Sequence, residues 1–438
     1  MNEENFKPLS AEELTKILGL TIKQDEINKL VTFLCELSSY TDNAQFNISY
    51  NAPSSSGKSY IPTEIARLFP EEDVMEVGYC SPTAFFHDTG TYNKEERTFT
   101  VDLSHKILIF LDQPHMMLMQ HLRPLLSHDR KEIRIKITDK KEKFGLKTKN
   151  IILRGYPAVI FCTAGLKIDE QEATRFLLLS PEINQEKIRA GVSQIIRKEA
   201  DNLKFSVWLN ADTDRKLLKE RIAAIKQAGI EEIKIDPELQ SVIEKRFLNG
   251  NKILKPRHQR DIKRLLSLIK LFAVLNCWWR NQQGSTITAT ERDVQEAFKV
   301  WDSISESQEL NLPPYIYSLY KEVILPAFDE KNRVVKSIIL DNEEPKLEGI
   351  TRQDISKHHQ KVYGRYLPEW QLRQQIIPML ELSGLIYQEP DPNDRRKVLI
   401  YPTNEPTTSG EIKNRELDGG VDLGIEDYEA KEETEVLT

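Results

Sequence analysis

The chain has 438 residues, of which 39% are hydrophobic and 29% charged, and its net charge is −7. This length predicts two or three domains, and the composition is typical of a globular protein. Apolar runs fall short of the roughly 20 residues that a membrane helix needs, which argues against a membrane protein. The polar start of the chain predicts neither a secretory signal nor a transit peptide. The scattered cysteines predict a cytoplasmic protein without a zinc site or disulfide framework: Cys35, Cys80, Cys162 and Cys277.

The negative charge is concentrated in the last segment, 404–438. This segment contains 11 acidic and 3 basic residues, a net charge of −8, which leaves +1 on the rest of the chain. It lacks apolar periodicity, so we expect an acidic disordered tail. A nearly neutral body leaves room for local basic surfaces that could contact nucleic acid.

The first 45 residues predict a helical prefix. One helical pattern covers Ala11–Leu18 and a second covers 25–38, with Asp25 as a plausible N-cap. The second pattern has an apolar face formed by Ile27, Leu30, Val31, Leu34 and Cys35. We interpret the prefix as a structural cover over the following domain.

A strand-like run at 47–51 leads into a turn-rich loop that ends in Gly57-Lys58-Ser59, and a helical pattern follows. This layout is typical of a phosphate-binding P-loop, although Ala52 stands where the motif has its first glycine. Lys58 would contact the β- and γ-phosphates of ATP, and the Ser59 hydroxyl would ligate Mg²⁺. The alternative is a chance Gly-Lys-Ser in a polar loop. The expected nucleotide contacts are Pro53, Ser54, Ser55, Ser56, Gly57, Lys58, Ser59 and Tyr60.

Two later apolar runs end in polar residues, as buried strands of a parallel sheet do at a ligand-binding edge. The run 106–111 precedes Asp112, the candidate Walker B carboxylate that would hold Mg²⁺ together with Ser59. The next residue is Gln113, which can orient a water molecule but cannot take its proton. The run 158–162 precedes Thr163, which would reach the γ-phosphate or the attacking water, the sensor 1 role.

A basic segment lies between these two runs. Residues 130–149 carry nine basic and three acidic side chains, and alternation over 132–138 predicts one arm of a β-hairpin. Lys140, Lys141 and Lys143 at the expected tip suit contacts with DNA phosphates. The alternative is a solvated edge hairpin whose lysines prevent edge pairing.

Arg175 follows a short acidic helical pattern at 169–174 and precedes a further strand pattern. An arginine at the rim of the sheet can stabilise γ-phosphate charge in a neighbouring subunit. The alternative is an ordinary residue at the C-terminal end of a helix.

The remaining chain predicts two further units. Residues 185–310 are helical in pattern, and 311–403 read as two short helices followed by a β-hairpin, the order of a winged helix-turn-helix. Winged helices also act as protein–protein modules, which remains the alternative. The expected DNA contacts in this unit are Arg373, Arg395, Arg396 and Lys397.

Taken together, these motifs resemble AAA+ ATPases with a hairpin before sensor 1, especially the minichromosome maintenance (MCM) helicases and related helicases of mobile elements. The likeness covers about 40–403 and departs at Ala52, at Gln113 and in lacking the large oligonucleotide-binding N-terminal domain. It implies an α/β fold: an AAA+ P-loop parallel sheet (46–184) with a helical lid (185–310), followed by a C-terminal winged helix (311–403). It also implies that the sensor 2 arginine, which contacts the nucleotide, is Arg257 or Arg260.

The resemblance implies an ATP hydrolase that forms a ring, hexameric in this family, on single-stranded or forked DNA. ATP would lie between subunits, with Lys58, Ser59, Asp112 and Thr163 from one subunit and Arg175 from the next. Two alternatives remain open. One is a non-translocating AAA+ replication initiator or helicase loader, which Gln113 keeps open, and the other is a DNA-binding regulator whose assembly is stabilised by nucleotide.

Overall fold

The computed structural model describes residues 6–79, 81, 90–93, 98–128, 130–139, 147–165, 174–250, 253–338, 347–392, 394 and 396–403. The strands in these ranges are β1 Asn47–Asn51, β2 Val74–Val77, β3 Thr91–Asn93, β4 Thr98–Asp102, β5 Ile107–Phe110, β6 Glu132–Asp139, β7 Lys147–Arg154, β8 Ala158–Thr163, β9 Phe176–Leu179, β10 Glu232–Ile235, β11 Asn281–Gln283, β12 Thr286–Ala289, β13 Ile386–Pro390 and β14 Val398–Pro402.

The helices of the first two-thirds of the chain are α1 Ala11–Leu18, α2 Glu26–Leu37, α3 Tyr60–Ala66, α4 Met116–Leu126, α5 Gln185–Ala200, α6 Asn202–Ala211, α7 Thr213–Ala228, α8 Pro237–Asn249, α9 His258–Leu275 and α10 Glu291–Glu309. Those of the last third are α11 Pro314–Leu319, α12 Leu325–Ile338, α13 Arg352–Tyr363, α14 Glu369–Gln371 and α15 Ile377–Leu382. No helix in the described ranges combines the length and apolar character needed to cross a membrane.

The protein has an α/β fold built on a central five-stranded parallel sheet. Its strand order is β2-β5-β8-β1-β9, and helices flank it. Every residue of β5, β8 and β9 is buried, which confirms the prediction that the runs before Asp112 and Thr163 are buried strands of a parallel sheet. Strands β5 and β8 lie inside the sheet, and β9 lies at its edge. This architecture is compatible with a P-loop type domain.

The helical prefix packs directly on this sheet. Ten of the twelve residues of α2 are buried, including the charged Lys29 and Glu36. Burial raises the pKa of the Glu36 carboxyl well above its ordinary value. Apolar side chains from the prefix, one sheet face and 218–304 belong to a single core, so the prefix is part of the same body as the central sheet.

The opposite sheet face packs on α4 and on a second sheet of order β3-β4-β7-β6. The predicted hairpin is confirmed as β6 and β7, which pair from Glu132 opposite Arg154 to Asp139 opposite Lys147. Ile133 and Ile135 pack against the core while Arg134 and Lys136 are exposed, as the alternating pattern predicts. The expected DNA-contacting tip, Lys140, Lys141 and Lys143, lies outside the described residues.

The region 185–310 is largely helical, as predicted, but it also contains the three-stranded sheet β10-β12-β11. The sequence did not predict this sheet, because its strands are only three or four residues long and β11 consists of exposed polar residues. Period-2 alternation cannot be recognised over so short a stretch.

The C-terminal unit has its own core, to which helices α11, α12, α13 and α15 and the hairpin β13–β14 contribute. Two helices in it pass through a π turn, at Tyr320–Ile324 and Leu372–Ile376. Each turn is followed two residues later by a proline, Pro326 or Pro378. A proline cannot donate the backbone hydrogen bond of a helix, and its ring clashes with the carbonyl one turn earlier. The wider π turn accommodates this defect. The sequence predicts a bend of the helix at Pro378, and the π turn Leu372–Ile376 lies just before this proline. The predicted acidic tail, 404–438, lies outside the described residues.

Candidate nucleotide-binding site

The loop 52–59 joins β1 to α3 and has an unusual backbone. Ser55 and Gly57 have φ values of +64° and +94°, in the region where glycine is least strained. Ala52, which replaces the first glycine of the motif, has no positive φ; it is fully buried, and its N–H donates to the Thr163 carbonyl at 3.4 Å. Alanine is therefore compatible with this loop, because its left-handed turns fall on later residues.

The ends of the three neighbouring strands β1, β8 and β5 meet at this loop. The Thr163 hydroxyl donates to the Gln113 side-chain oxygen at 3.2 Å and accepts from the Gly165 N–H at 3.0 Å. The Asp112 carboxylate accepts from the Gln113 N–H at 2.8 Å. Three predicted site residues, Asp112, Gln113 and Thr163, thus lie together at one edge of the parallel sheet.

Lys58 and Ser59 lie where the loop enters α3. The Cys162 thiol donates to the Lys58 carbonyl at 3.3 Å, which fixes the Lys58 backbone against β8. Burial raises the pKa of Cys162 to about 12, so this group remains a protonated donor. The Ser59 hydroxyl makes no capping hydrogen bond to α3, and the Ser56 hydroxyl is buried without a partner among the described residues. An unpartnered buried hydroxyl costs free energy, which a polar ligand in the loop would recover.

The other predicted loop contacts differ in their surroundings. Pro53 is buried and Ser54 exposed. The Tyr60 hydroxyl donates to the Thr21 carbonyl at 3.0 Å, and burial raises its pKa to about 12. Tyr60 therefore ties the prefix to the start of α3, and its hydroxyl is already occupied.

A buried ion pair braces the loop, and the sequence reasoning missed its role. Asp25, which is fully buried, forms an ion pair with Lys187 of α5. The Lys187 ammonium also donates to the Ser56 carbonyl at 3.3 Å and the Glu182 carbonyl at 2.9 Å. Asp25 is the N-terminal neighbour of α2, as predicted, but its side chain does not cap the helix. Instead it accepts from the Glu182 N–H and the Asn28 amide, both at 2.8 Å.

Arg175 lies at the other end of the strands of the central sheet, where they begin. Arg175 immediately precedes β9, which runs parallel to β1, and the first residues of the two strands, Phe176 and Asn47, pair with each other. The 52–59 loop instead follows the last residue of β1. Five strand residues at about 3.3 Å each therefore separate Arg175 from the loop of its own chain. Its guanidinium donates to the Ser127 hydroxyl at 3.0 Å.

The two candidate sensor 2 arginines lie at the start of α9, and one of them contacts Thr174, the neighbour of Arg175. Arg257 is buried, ion-paired with Asp261 at 2.7 Å and hydrogen-bonded to Asn311. Arg260 is exposed and hydrogen-bonded to the Thr174 hydroxyl. The structure thus places Arg260 next to the Thr174–Arg175 segment, and of the two arginines Arg260 is the one accessible to a ligand.

The expected metal ligands are one hydroxyl, Ser59, and one carboxylate, Asp112. The described residues contain no cluster of three or more His, Cys, Asp and Glu side chains that could hold a metal alone. Mg²⁺ in phosphoryl-transfer sites is commonly held by one or two protein carboxylates plus substrate phosphates. A hydroxyl and a carboxylate at one sheet edge fit such a shared site.

The expected DNA contacts in the C-terminal unit are exposed where they are described. Arg373 is exposed within a π turn, and Arg396 and Lys397 lie at the β13–β14 tip, ion-paired with Asp394 at 3.1 and 3.7 Å. Asp394 offsets part of the basic charge at this tip. Arg395 lies outside the described residues.

The chain matches no protein-family model, and the search of curated proteins finds no match.

Proposed function

We propose that this protein is an AAA+ ATPase that assembles as a hexameric ring and uses ATP to move along single-stranded or forked DNA. The observation that carries the proposal is the meeting of Gly57-Lys58-Ser59, Asp112-Gln113 and Thr163 at the carboxyl edge of three adjacent parallel strands. Ligands bind at this edge in open α/β sheets, and this combination of groups suits a nucleoside triphosphate.

Each residue has a role in this proposal. Lys58 binds the β- and γ-phosphates, while the loop amides orient them. Ser59 and Asp112 would hold Mg²⁺, which when bound neutralises phosphate charge. Thr163, fixed by its bond to Gln113 at 3.2 Å, orients the γ-phosphate or the attacking water. Gln113 accepts a hydrogen bond from that water but leaves its proton in place.

The arginines at the other end of the strands support shared sites. Because Arg175 and Arg260 lie away from the 52–59 loop of their own chain, they would complete the site of a neighbouring subunit. A head-to-tail contact of this kind closes into a ring when its rotation permits. The positive charge of Arg175 would then stabilise the developing charge on the γ-phosphate.

DNA contact would come from two elements. The basic segment 130–149 would line the channel, and its described residues Arg134 and Lys136 are exposed on β6. We assign 311–403 as a winged helix, since helices precede a β-hairpin whose exposed tip carries Arg396 and Lys397. Such side chains bind phosphates and carry no sequence preference by themselves.

Gln113 also supports a second function, that of a non-translocating initiator or helicase loader. A glutamine bonded to Thr163 can report the presence of a γ-phosphate without efficient hydrolysis. Such a protein would change conformation on ATP binding and would not unwind DNA.

ATP hydrolysis and strand displacement test the proposal. The wild type should bind ATP, hydrolyse it faster with single-stranded or forked DNA, and displace the strand of a fork. Lys58→Ala should lose tight ATP binding, since it removes the cation that the loop supplies to the phosphates, while the exposed control Lys216→Ala should behave as wild type. ATP binding without strand displacement would favour the loader, and unchanged affinity in Lys58→Ala would overturn the nucleotide site.

A further inference from the structure

A cavity of about 430 Å³ lies where the C-terminal unit meets the rest of the protein. Its walls come from the start of α2, the segment 179–184, the end of α10, helix α11 with the π turn after it, and the last residue of α13. This volume is typical of small-molecule sites in proteins, in which a few polar groups set the specificity. The polar groups of the lining therefore indicate what the cavity binds.

The lining of this cavity is acidic and aromatic. It contains three glutamates and three tyrosines and, among the described residues, no lysine, arginine or histidine. These six residues are Glu182, Glu306, Glu322, Tyr315, Tyr317 and Tyr363. Carboxylates and the faces of aromatic rings both attract cations, so the lining favours a cation over a neutral or anionic ligand.

Two of the tyrosines donate to two of the glutamates. The Tyr317 hydroxyl donates to Glu306 at 3.1 Å, and the Tyr363 hydroxyl donates to Glu322 at 2.7 Å. The first pair already holds a cation, because the Lys321 ammonium donates to Glu306 at 2.7 Å and lies 4.4 Å from the centre of the Tyr317 ring. The protein thus shows within its own chain how such a pair binds an ammonium group.

The second pair receives no such cation from the described part of the chain, in which Glu322 forms no ion pair. Glu322 is exposed, so a ligand can reach its carboxylate from solvent. Burial and the bond to Glu322 raise the pKa of Tyr363 well above its ordinary value, which keeps its hydroxyl a donor that orients the carboxylate. The Tyr363–Glu322 pair therefore offers a carboxylate and an aromatic ring to an ammonium group from outside the chain.

The Tyr315 hydroxyl is independent evidence for a ligand. Tyr315 is 4% exposed, and its hydroxyl is buried without a partner in normal hydrogen-bond geometry among the described residues. Burial raises its pKa, and the Arg365 guanidinium limits that rise. A buried hydroxyl without a hydrogen bond costs free energy, which an ammonium group that donates to its oxygen would recover.

We propose that this cavity binds a small organic cation with two or more amino groups, such as a linear diamine or polyamine. One ammonium group lies at the Tyr363–Glu322 pair. A second lies near Glu182, the exposed carboxylate of segment 179–184, which forms no ion pair with the described residues. The proposal does not depend on ATP binding, because the groups that carry it lie outside the 52–59 loop.

Such a ligand would hold the C-terminal unit against the body that contains the central sheet, since Glu182 and Glu322 belong to different units. The Ser180 hydroxyl, which also lines the cavity, donates to the Asn51 carbonyl at 2.7 Å and accepts from the Tyr315 N–H at 3.0 Å. The cavity therefore lies beside a hydrogen-bonded link between the two units. A bound cation is expected to stabilise this junction.

Isothermal titration calorimetry of the full chain with spermidine, without DNA or nucleotide, tests the proposal. Glu322→Gln keeps an acceptor for the Tyr363 hydroxyl but removes the charge, so it should weaken spermidine binding at least about tenfold. The matched control is Glu389→Gln, on the exposed part of β13 and outside the cavity, which should bind as wild type. No binding by the wild type, or equal weakening in both variants, would overturn the site.

Lys321→Met provides a test by gain of binding. It removes the ammonium group that occupies the Tyr317–Glu306 pair, so spermidine should bind at least about threefold more tightly, which misfolding cannot produce. Saturating spermidine should also raise the thermal unfolding midpoint of the wild type but not that of Glu322→Gln. Unchanged or weaker binding by a folded Lys321→Met, or displacement of spermidine by an equal concentration of Mg²⁺, would overturn a site built for an organic cation.

Discussion

The Thr163 hydroxyl donates a hydrogen bond of 3.2 Å to the side chain of Gln113, joining the ends of the adjacent strands β8 and β5. Both residues lie where the γ-phosphate and attacking water are expected. The pair therefore links the group proposed to sense phosphate with the group proposed to orient water.

Thr163→Val tests the sensing half of this pair. Valine keeps the shape of threonine but loses its bonds to Gln113 and to the Gly165 N–H. We expect ATP affinity within about twofold of wild type and turnover lower by about 10- to 100-fold, because orientation is needed mainly in the transition state. Fluorescent-nucleotide titration and phosphate release measure the two quantities, and Thr163→Ser should retain most activity. A variant that loses ATP affinity but keeps its turnover would contradict the role of Thr163 in orienting the γ-phosphate or the water.

Gln113→Glu tests the proposed role of Gln113 in orienting the attacking water. A carboxylate can accept the proton of the attacking water, and general-base catalysis contributes about 10² to 10⁴ in rate. We therefore expect at least about tenfold faster hydrolysis, with Gln283→Glu on the exposed strand β11 as the control. No gain in the single-turnover rate would mean that Gln113 does not contact the water.

Arg175 is predicted to act in the neighbouring subunit. Arg175→Ala and Lys58→Ala should each be inactive alone, yet mixed assemblies should recover part of the activity, because one type of interface keeps both residues. Arg189→Ala, on the exposed surface of α5, serves as the matched arginine control in the same mixtures. Failure of mixed assemblies to recover activity would count against a shared site.

The Asp25–Lys187 pair is predicted to position the 52–59 loop. Lys187→Met removes the bond to the Ser56 carbonyl and leaves the buried Asp25 without its cation, which should destabilise the fold by about 3 kcal/mol. Hydrogen exchange at 53–59 should rise and ATP affinity should fall, with turnover at saturating ATP nearly unchanged.

Two variants separate this positioning role from general destabilisation. Lys187→Arg should restore affinity, and Asp25→Asn combined with Lys187→Met should cost less than the two single changes together. Unaltered exchange at 53–59 in Lys187→Met would show that the pair braces some other part of the fold.

The sequence determined the local elements of this protein. The continuous apolar runs before Asp112 and Thr163 became the buried strands β5 and β8, and the alternation over 132–138 became one arm of a hairpin. Pro378 marked one irregular helix of the C-terminal unit. These features follow from side-chain periodicity and backbone chemistry, which act over a few residues.

Only the tertiary structure decided which distant residues meet. Asp25 and Lys187 are 162 positions apart, and each alone reads as an ordinary helix-terminal residue. The strand order placed Thr163 beside Gln113, and the parallel pairing of β9 with β1 placed Arg175 at the end of the strands away from Lys58. Such pairings depend on how the whole sheet and its covering helices bury their apolar surface. No local pattern records them, because burial is satisfied jointly by segments far apart in the chain.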